Sequence, residues 1–382
     1  MLTRRLATAA VLAVALPALA GACSGPGPGP GGPGGATDRH VRINELQMLA
    51  SHNSYHLQPQ QALLDALRGA LGDAVNGWEY THRPLADEFD AGVRQVELDV
   101  FVDDPQGGRY ASPKLVPVTG VDPPDPSMSG PGLKVFHIQE VDFRSSCPTF
   151  VECLTQVKAW SDAHPRHRPI PIQVEAKDGT IPDPGLGFVV PLPWTTAAFA
   201  QLESEISSVF PAEQVITPAQ VRGDFATLPE AVEAGRWPTL AQARGKVMFA
   251  LDSAGEERSL YRQLHPDLAE RLVFVSAAPP DVDAGYVVVN DPVGDADRIR
   301  QLVGDGYIVR TRADSDTVEA RSGDTTVQEA AWASGAQFVS TDYVFPDDMF
   351  GTGYVAEVPG PGLVRCNPVL QPHPCPTRGV AP

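Results

Sequence analysis

Nine short apolar runs recur along the chain, at residues 46–51, 93–101, 134–138, 170–176, 246–251, 272–276, 286–290, 306–311 and 337–342. Stretches of helical periodicity fill the gaps, among them QALLDALRGAL, PTFVECLTQVKAWSDAHP, TTAAFAQLESEISSVF, ADRIRQLVGDG and TVQEAAWASG. Strand–helix alternation predicts parallel sheet, because strands running the same way must be joined by a crossover and a helix is the usual one. About eight such units in one body predict a single α/β catalytic domain, a (β/α)8 barrel of TIM type with room for distortion. Nine runs are one more than a barrel takes, so either 272–276 or 286–290 is the extra one. An open doubly wound sheet is disfavoured, since the chain carries no GxGxxG or Walker motif.

A barrel places its functional side chains at the C-terminal ends of its strands. His52 and Asn53 follow LQMLAS, and Glu97 and Asp99 lie late in VRQVELDVF, two apart and therefore on one side of a strand. His137 ends LKVFH, Glu175 is late in IPIQVE with Lys177 two beyond it, Arg310 and Arg312 are late in GYIVRTR, and Asp342 and Tyr343 follow QFVST. Each interrupts or ends an apolar run. Buried polar groups are costly unless paired, so a row of them at strand ends marks a site.

The residue types suggest the chemistry. Asn53, Glu97, Asp99 and Glu175 offer only oxygen donors, the set preferred by one Ca2+ ion. Magnesium, which keeps more of its water, comes second, and zinc is disfavoured without a thiolate. His52 and His137, from different strands, can flank that ion as an acid–base pair around a phosphodiester. A metal and an anionic ester still call for a further cation, and Lys177 and Arg310 are the candidates. For each, an ion pair holding neighbouring carboxylates is the equally weighted alternative. Arg312 and Tyr343 complete the expected substrate-binding rim.

The N-terminus reads as an export signal over residues 1–22: Arg4 and Arg5, then the apolar LATAAVLAVALPALAGA. LAGAC is close to a lipobox, which makes Cys23 the expected lipidation site, and SGPGPGPGGPGGA after it is a tether that can bury nothing. The paired arginines also hint at twin-arginine export. The expected organisation is a signal peptide at 1–22, lipidated Cys23 with its linker at 23–39, the barrel at 40–358 and a tail at 359–382. In an oxidising compartment the remaining cysteines are expected to pair locally, Cys147 with Cys153 and Cys366 with Cys375. A formal net charge of −18 argues against nucleic acid and against electrostatic adsorption to anionic lipid. No protein partner is indicated. Two loops beside the expected site, residues 103–133 and 178–194, are rich in Pro and Gly. The second, with Phe188, Val189, Val190, Leu192 and Trp194, is read either as a rim that dips into lipid or as cover for a satellite core.

Taken together, SHNSYH, VELDVF, KVFH and IQVEAKD resemble the catalytic-domain motifs of the calcium-dependent phosphatidylinositol-specific phospholipases C. The likeness is to the actinomycete secreted branch above all, and it covers most of residues 43–345. The resemblance implies an exported phosphoric diester hydrolase, acting on a phospholipid at a membrane surface. It would cleave phosphatidylinositol to diacylglycerol and inositol phosphate through a cyclic phosphate, with the inositol 2-hydroxyl as nucleophile. It also implies Ca2+ at Asn53, Glu97, Asp99 and Glu175, His52 as stabiliser of the pentacoordinate phosphoryl group and His137 as general acid. Glu97 or Glu175 is left to take the hydroxyl proton. Animal members of the family carry lysines that grip ring phosphates on a strand comparable to GKVMFALDS, which here ends in Ala250 and Asp252. That departure favours plain phosphatidylinositol over polyphosphorylated inositides. Two other readings stay open: a glycerophosphodiesterase of the same fold, although HRG and HD are replaced here by His52–Asn53 and His137–Ile138, and a non-catalytic tethered binding lipoprotein.

Overall fold

The computed structural model describes residues 37–263 and 265–371. Its strands are β1 (Leu46–Ser51), β2 (Val96–Phe101), β3 (Lys134–Val135), β4 (Ile170–Lys177), β5 (Val215–Ile216), β6 (Val247–Leu251), β7 (Val273–Val275), β8 (Tyr286–Val288), β9 (Ile308–Arg312), β10 (Phe338–Thr341) and β11 (Val364–Cys366). Eight of these form the wall of a TIM-type α/β barrel. Parallel ladders join β2 to β4, β4 to β6 and β6 to β7 in one sheet, and β8 to β9, β9 to β10 and β10 to β1 in the other. The two sheets meet at seams rather than ladders. Between β1 and β2 the contacts are Arg94 N–H to the Leu49 carbonyl (2.9 Å) and Ser51 N–H to the Gln95 carbonyl (3.0 Å). Between β7 and β8 there is a single bridge, Ser276 with Tyr286.

Both 272–276 and 286–290 therefore belong to the barrel, and the extra run is 134–138. Only Lys134–Val135 of it is strand, and it lies antiparallel on β2, pairing Val100 with Val135 and Phe101 with Lys134. The excursion after β2 doubles back along the strand it left, so no helical crossover intervenes. β11 also departs from expectation: residues assigned to the tail pair antiparallel with β1, Leu46 opposite Cys366 and Met48 opposite Val364.

β1, β2 and β6 are buried along their whole length, as expected of strands covered on both faces. The two longest covering helices begin at side-chain caps. Thr149 Oγ1 accepts from Glu152 N–H at the start of Phe150–Ala163, and Thr195 Oγ1 accepts from Ala198 N–H at the start of Thr196–Val209. The first buries Phe150, Leu154, Val157 and Trp160, the second Phe199, Leu202 and Ile206. Each fully buried side chain of this size contributes roughly 1.5–3 kcal/mol. The expected Cys147–Cys153 disulfide is present. Cys23 and Cys375 lie outside the described residues, and the Cys366–Cys375 bridge with them.

The two long loops share a satellite core. Tyr110, Leu115, Met128, Phe136 and Phe143 are buried in it, with Ile181, Phe188 and Val189 packed against them. Trp194 is buried elsewhere, against Phe199. The loops still leave Val118 and Val190 exposed, at 64% and 61%. No helix among the described residues is long and apolar enough to cross a membrane.

Candidate active site

The turn after β1 is tied to β2 by one residue. Ser54 N–H donates to the Glu97 carbonyl (3.0 Å), and Ser54 Oγ accepts from Glu97 N–H (2.9 Å). Asn53 sits at φ 45°, a left-handed conformation that asparagine tolerates better than most residues, and its Nδ2 donates to the Tyr80 hydroxyl.

Each expected histidine has an aspartate on its Nδ1. His52 Nδ1 lies 2.7 Å from Asp342, whose other oxygen is 3.1 Å from the Arg312 guanidinium. His137 Nδ1 lies 2.8 Å from Asp142, which also meets His56 Nε2 at 2.9 Å. Burial opposes ionisation of Asp342, but His52 and Arg312 outweigh it and hold its pKa well below the carboxylate range. Asp142 is likewise driven down, to about 2, by His56 and His137 against the effect of burial. The histidines themselves diverge. Burial and the charge of Arg312 push His52 below the ordinary value. Burial also pulls His137 down, but the hydrogen bond and charge of Asp142, helped by Asp99, raise it overall. In both rings the Nδ1 partner leaves Nε2 as the atom for chemistry.

Between the histidines stand three carboxylates, Glu97, Asp99 and Glu175, each offering one oxygen within 4.8 Å of the other two. Parallel register accounts for the cluster, since β2 and β4 pair with Asp99 opposite Glu175. Asp99 is fully buried, and neither of its oxygens accepts a well-formed hydrogen bond. Lys177 Nζ lies 3.3 Å from Asp99 and 3.1 Å from Glu175. Burial raises the Asp99 pKa to about 7 despite Lys177, with Glu175 adding to the rise. Converging oxygens, those of Asp99 with unmet acceptor capacity, fit a hard divalent cation, and the nitrogens beside them, Lys177 Nζ and the Arg310 guanidinium, are cations that balance charge rather than metal ligands.

Residues 41–368 match the family described as phosphoinositide phospholipase C, Ca2+-dependent. The chain belongs to that family. It is therefore a Ca2+-dependent phospholipase C acting on a phosphodiester. Among solved structures, the chain is similar to a calcium-dependent phosphoinositol-specific phospholipase C from Pseudomonas sp. (18% identity, covering 86% of this chain and 96% of that one, TM-score 0.54). It is also similar to a Ca2+-dependent phosphatidylinositol-specific phospholipase C from Streptomyces antibioticus (20% identity, 80% and 95% covered, TM-score 0.50). These likenesses concern the fold and agree with the barrel. No curated protein matches the chain significantly.

Within this phospholipase the expected substrate-binding residues are placed differently from one another. Lys177 and Arg312 keep partial exposure, 23% and 14% for their side chains, beside the carboxylates and Asp342 respectively. Arg310 is 1% exposed and holds Glu97 and Asn290, which is the ion-pair alternative. Tyr343 is 2% exposed in an aromatic cluster with Tyr80, Phe350 and Tyr354, so its placement is that of a supporting residue. Sequence reasoning placed Asp342 at a strand end without a specific role, and gave none to Asp142 or His56. Their signals are faint: an aspartate five beyond His137, one at the end of the last barrel strand, and the second histidine of SHNSYH. Asp252, which follows β6, adds a further, partly buried acid. Its pKa rises to about 7 through burial first and the charge of Glu97 second, and it accepts a 2.8 Å hydrogen bond from Gln173.

Proposed function

We propose that this phospholipase cleaves phosphatidylinositol to diacylglycerol and an inositol cyclic phosphate by attack of the inositol 2-hydroxyl. The observation carrying this is the pair of aspartate-oriented histidines, His52 on the Glu97 side of the carboxylate cluster and His137 on the Asp99 side. Asn53, Glu97, Asp99 and Glu175 are the residues that would hold one Ca2+. A bound ion supplies positive charge at the phosphodiester and acidifies the hydroxyl.

The remaining chemistry belongs to the chain. Glu97 is committed to Arg310, which makes it a poor base. With its Nδ1 proton fixed on Asp342, His52 offers an Nε2 lone pair to the 2-hydroxyl proton, and the imidazolium so formed faces the crowded phosphoryl oxygens. A bond from the 2-oxygen to phosphorus forms as the bond to the diacylglycerol oxygen breaks, and His137 Nε2–H protonates that leaving oxygen. The Asp142 carboxylate stabilises the charged His137 that must be ready beforehand. Lys177 and Arg312 supply positive charge at the rim.

The head group is plain phosphatidylinositol, because Asp252 occupies the end of β6 and a ring phosphate brought there would meet another carboxylate. Export, with the body tethered through a lipid on Cys23, puts the enzyme at the outer face of a membrane, where the exposed Val118 and Val190 can touch lipid. The decisive experiment is incubation with phosphatidylinositol, with and without a Ca2+ chelator, and identification of the products. Turnover of glycerophosphodiesters but not of phosphatidylinositol would transfer the site to the glycerophosphodiesterase reading. Absence of Ca2+-dependent turnover on either would leave a binding lipoprotein.

A further inference from the structure

A cavity of about 580 Å3 opens at the other end of the barrel, away from the histidines. Its walls come from segments that lead into barrel strands, Arg42 before β1 and residues 236–242 and Lys246 before β6, and from the end of β5, which pairs with the start of β6, with the short helix Pro218–Arg222. Three cations line it, Arg42, Arg236 and Lys246, and no carboxylate does. None of the three forms an ion pair among the described residues, although the chain has 47 acidic residues against 29 basic ones. In so acidic a protein, three unpaired cations around one hollow call for an explanation.

The polar atoms of the wall have the same sign. Gln220 Oε1 accepts from Thr217 N–H and Gln242 Oε1 accepts from Thr239 N–H, so both acceptor ends are committed to capping short helices. Their Nε2 amides, which can only donate, have no protein acceptor among the described residues. Arg42 gives one terminal nitrogen to the Trp237 carbonyl, and the side chains of Lys246 and Arg236 donate to no protein acceptor in the described residues, Arg236 lying over the Phe225 ring instead. The hollow thus offers donors and positive charge, with a flank of Ile216 and Val221. Its volume lies within the roughly 300–1,000 Å3 of small-molecule sites.

We propose that this cavity binds a small phosphorylated anion, phosphate itself or a phosphomonoester. A phosphomonoester carries about −1.5 to −2 charge at neutral pH and presents three strong acceptor oxygens. Guanidinium forks and amide donors match that pattern, whereas a carboxylate would leave much of the donor set unmet. The site is separate from the catalytic one, because its residues stand at the N-terminal ends of the barrel strands.

The test is isothermal titration of inorganic phosphate and of inositol 1-phosphate, at constant ionic strength and with a Ca2+ chelator present. Wild type, R236A/K246A and H52A/H137A are compared. The expected result is saturable binding to wild type and to H52A/H137A, weakened at least about tenfold in R236A/K246A, with phosphatidylinositol turnover unchanged in R236A/K246A. Tighter binding of inositol 1-phosphate assigns the cavity to an ester, and equal binding assigns it to free phosphate. Absence of saturable binding, its survival in R236A/K246A, or its loss in H52A/H137A overturns the proposal. Arg236 and Lys246 hydrogen-bond within the described residues only through their backbones, which an Ala substitution retains, so loss of folding is not the expected route to a negative result.

Discussion

His137 and His52 share one architecture, an imidazole whose Nδ1 is held by a buried aspartate, yet opposite proton roles follow for them. The difference shows through the leaving group. Diacylglycerol oxygen is a poor leaving group that needs a proton, whereas a nitrophenolate hardly does. His137→Ala should lower turnover of phosphatidylinositol by about 10²–10⁴-fold and recover much of that loss on a nitrophenyl ester of inositol phosphate. His52→Ala should lose comparable activity on both. Equal losses for both variants on both substrates would remove His137 from the acid role. Asp342→Asn addresses orientation instead. An amide at this position can donate to Nδ1 and select the tautomer that lacks an Nε2 lone pair. Turnover should then fall by about 10²–10⁴-fold on either substrate, while Ca2+ titration followed by calorimetry stays at the wild-type affinity. At this scale the sequence was informative about residues whose type is itself unusual in an apolar strand, such as Glu97, Asp99 and Glu175. It said little of Asp142, because an aspartate in a polar loop has no visible partner until the loop folds. Arg310 and Tyr343 show the converse: a position at a strand end says that a side chain is near the site, not that it faces the open part of it.

Strand existence was legible, because continuous apolar runs bounded by Gly, Pro and polar residues have few other uses. Direction was not. LKVFH reads like every other barrel strand, and only the return of the 103–133 excursion turns Lys134–Val135 antiparallel against β2. β5 and β11, at two and three residues, are too short for any periodicity to register. The excursion is anchored where the Cys147–Cys153 disulfide closes the first turn of the helix Phe150–Ala163. Both cysteines are fully buried. By the chain-entropy estimate, a loop this small contributes about 2 kcal/mol. A C147S/C153S variant should therefore unfold at lower denaturant concentration by that amount, with an unchanged denaturant dependence. A loss of catalytic activity at temperatures well below unfolding would instead mean that the bridge positions His137.

For the molecule as a whole, acid should be the weak side, and one buried histidine makes that measurable. His167 is 1% exposed, its Nδ1 donating to the Arg168 carbonyl and its Nε2 accepting from the Ser161 hydroxyl at 2.7 Å. That pattern satisfies the neutral ring completely. Burial, assisted by the charge of Arg94, lowers its pKa from 6.5 to about 4. The unfolded chain binds this proton first as pH falls. The stability due to the neutral ring is thus fully present above about pH 6.5 and is lost between 6.5 and 4, by up to about 3 kcal/mol. Denaturation followed across this window should show that slope in wild type and a flatter one in His167→Gln. A wild-type profile without it would contradict the assignment.

The seams between the two sheets divide the catalytic groups as well as the wall. β1, β8, β9 and β10 carry His52, Asp342, Arg310 and Arg312, while Glu97, Asp99, Glu175, Lys177 and His137 belong to the sheet of β2, β4, β6 and β7. The barrel thus resembles a two-leaved clasp whose edges meet along the line where chemistry occurs, fastened there by isolated hydrogen bonds such as Ser54 N–H to Glu97 and by the buried Arg310–Glu97 ion pair. Whatever binds across that line closes the clasp, so occupancy and cohesion are one property. Amide hydrogen exchange should report it: adding Ca2+ and a non-hydrolysable inositol phosphonate should slow Ser51, Ser54 and Arg94 more than the ladder amides between β2 and β4. Uniform slowing across both sets would mean that the leaves are already locked before the substrate arrives.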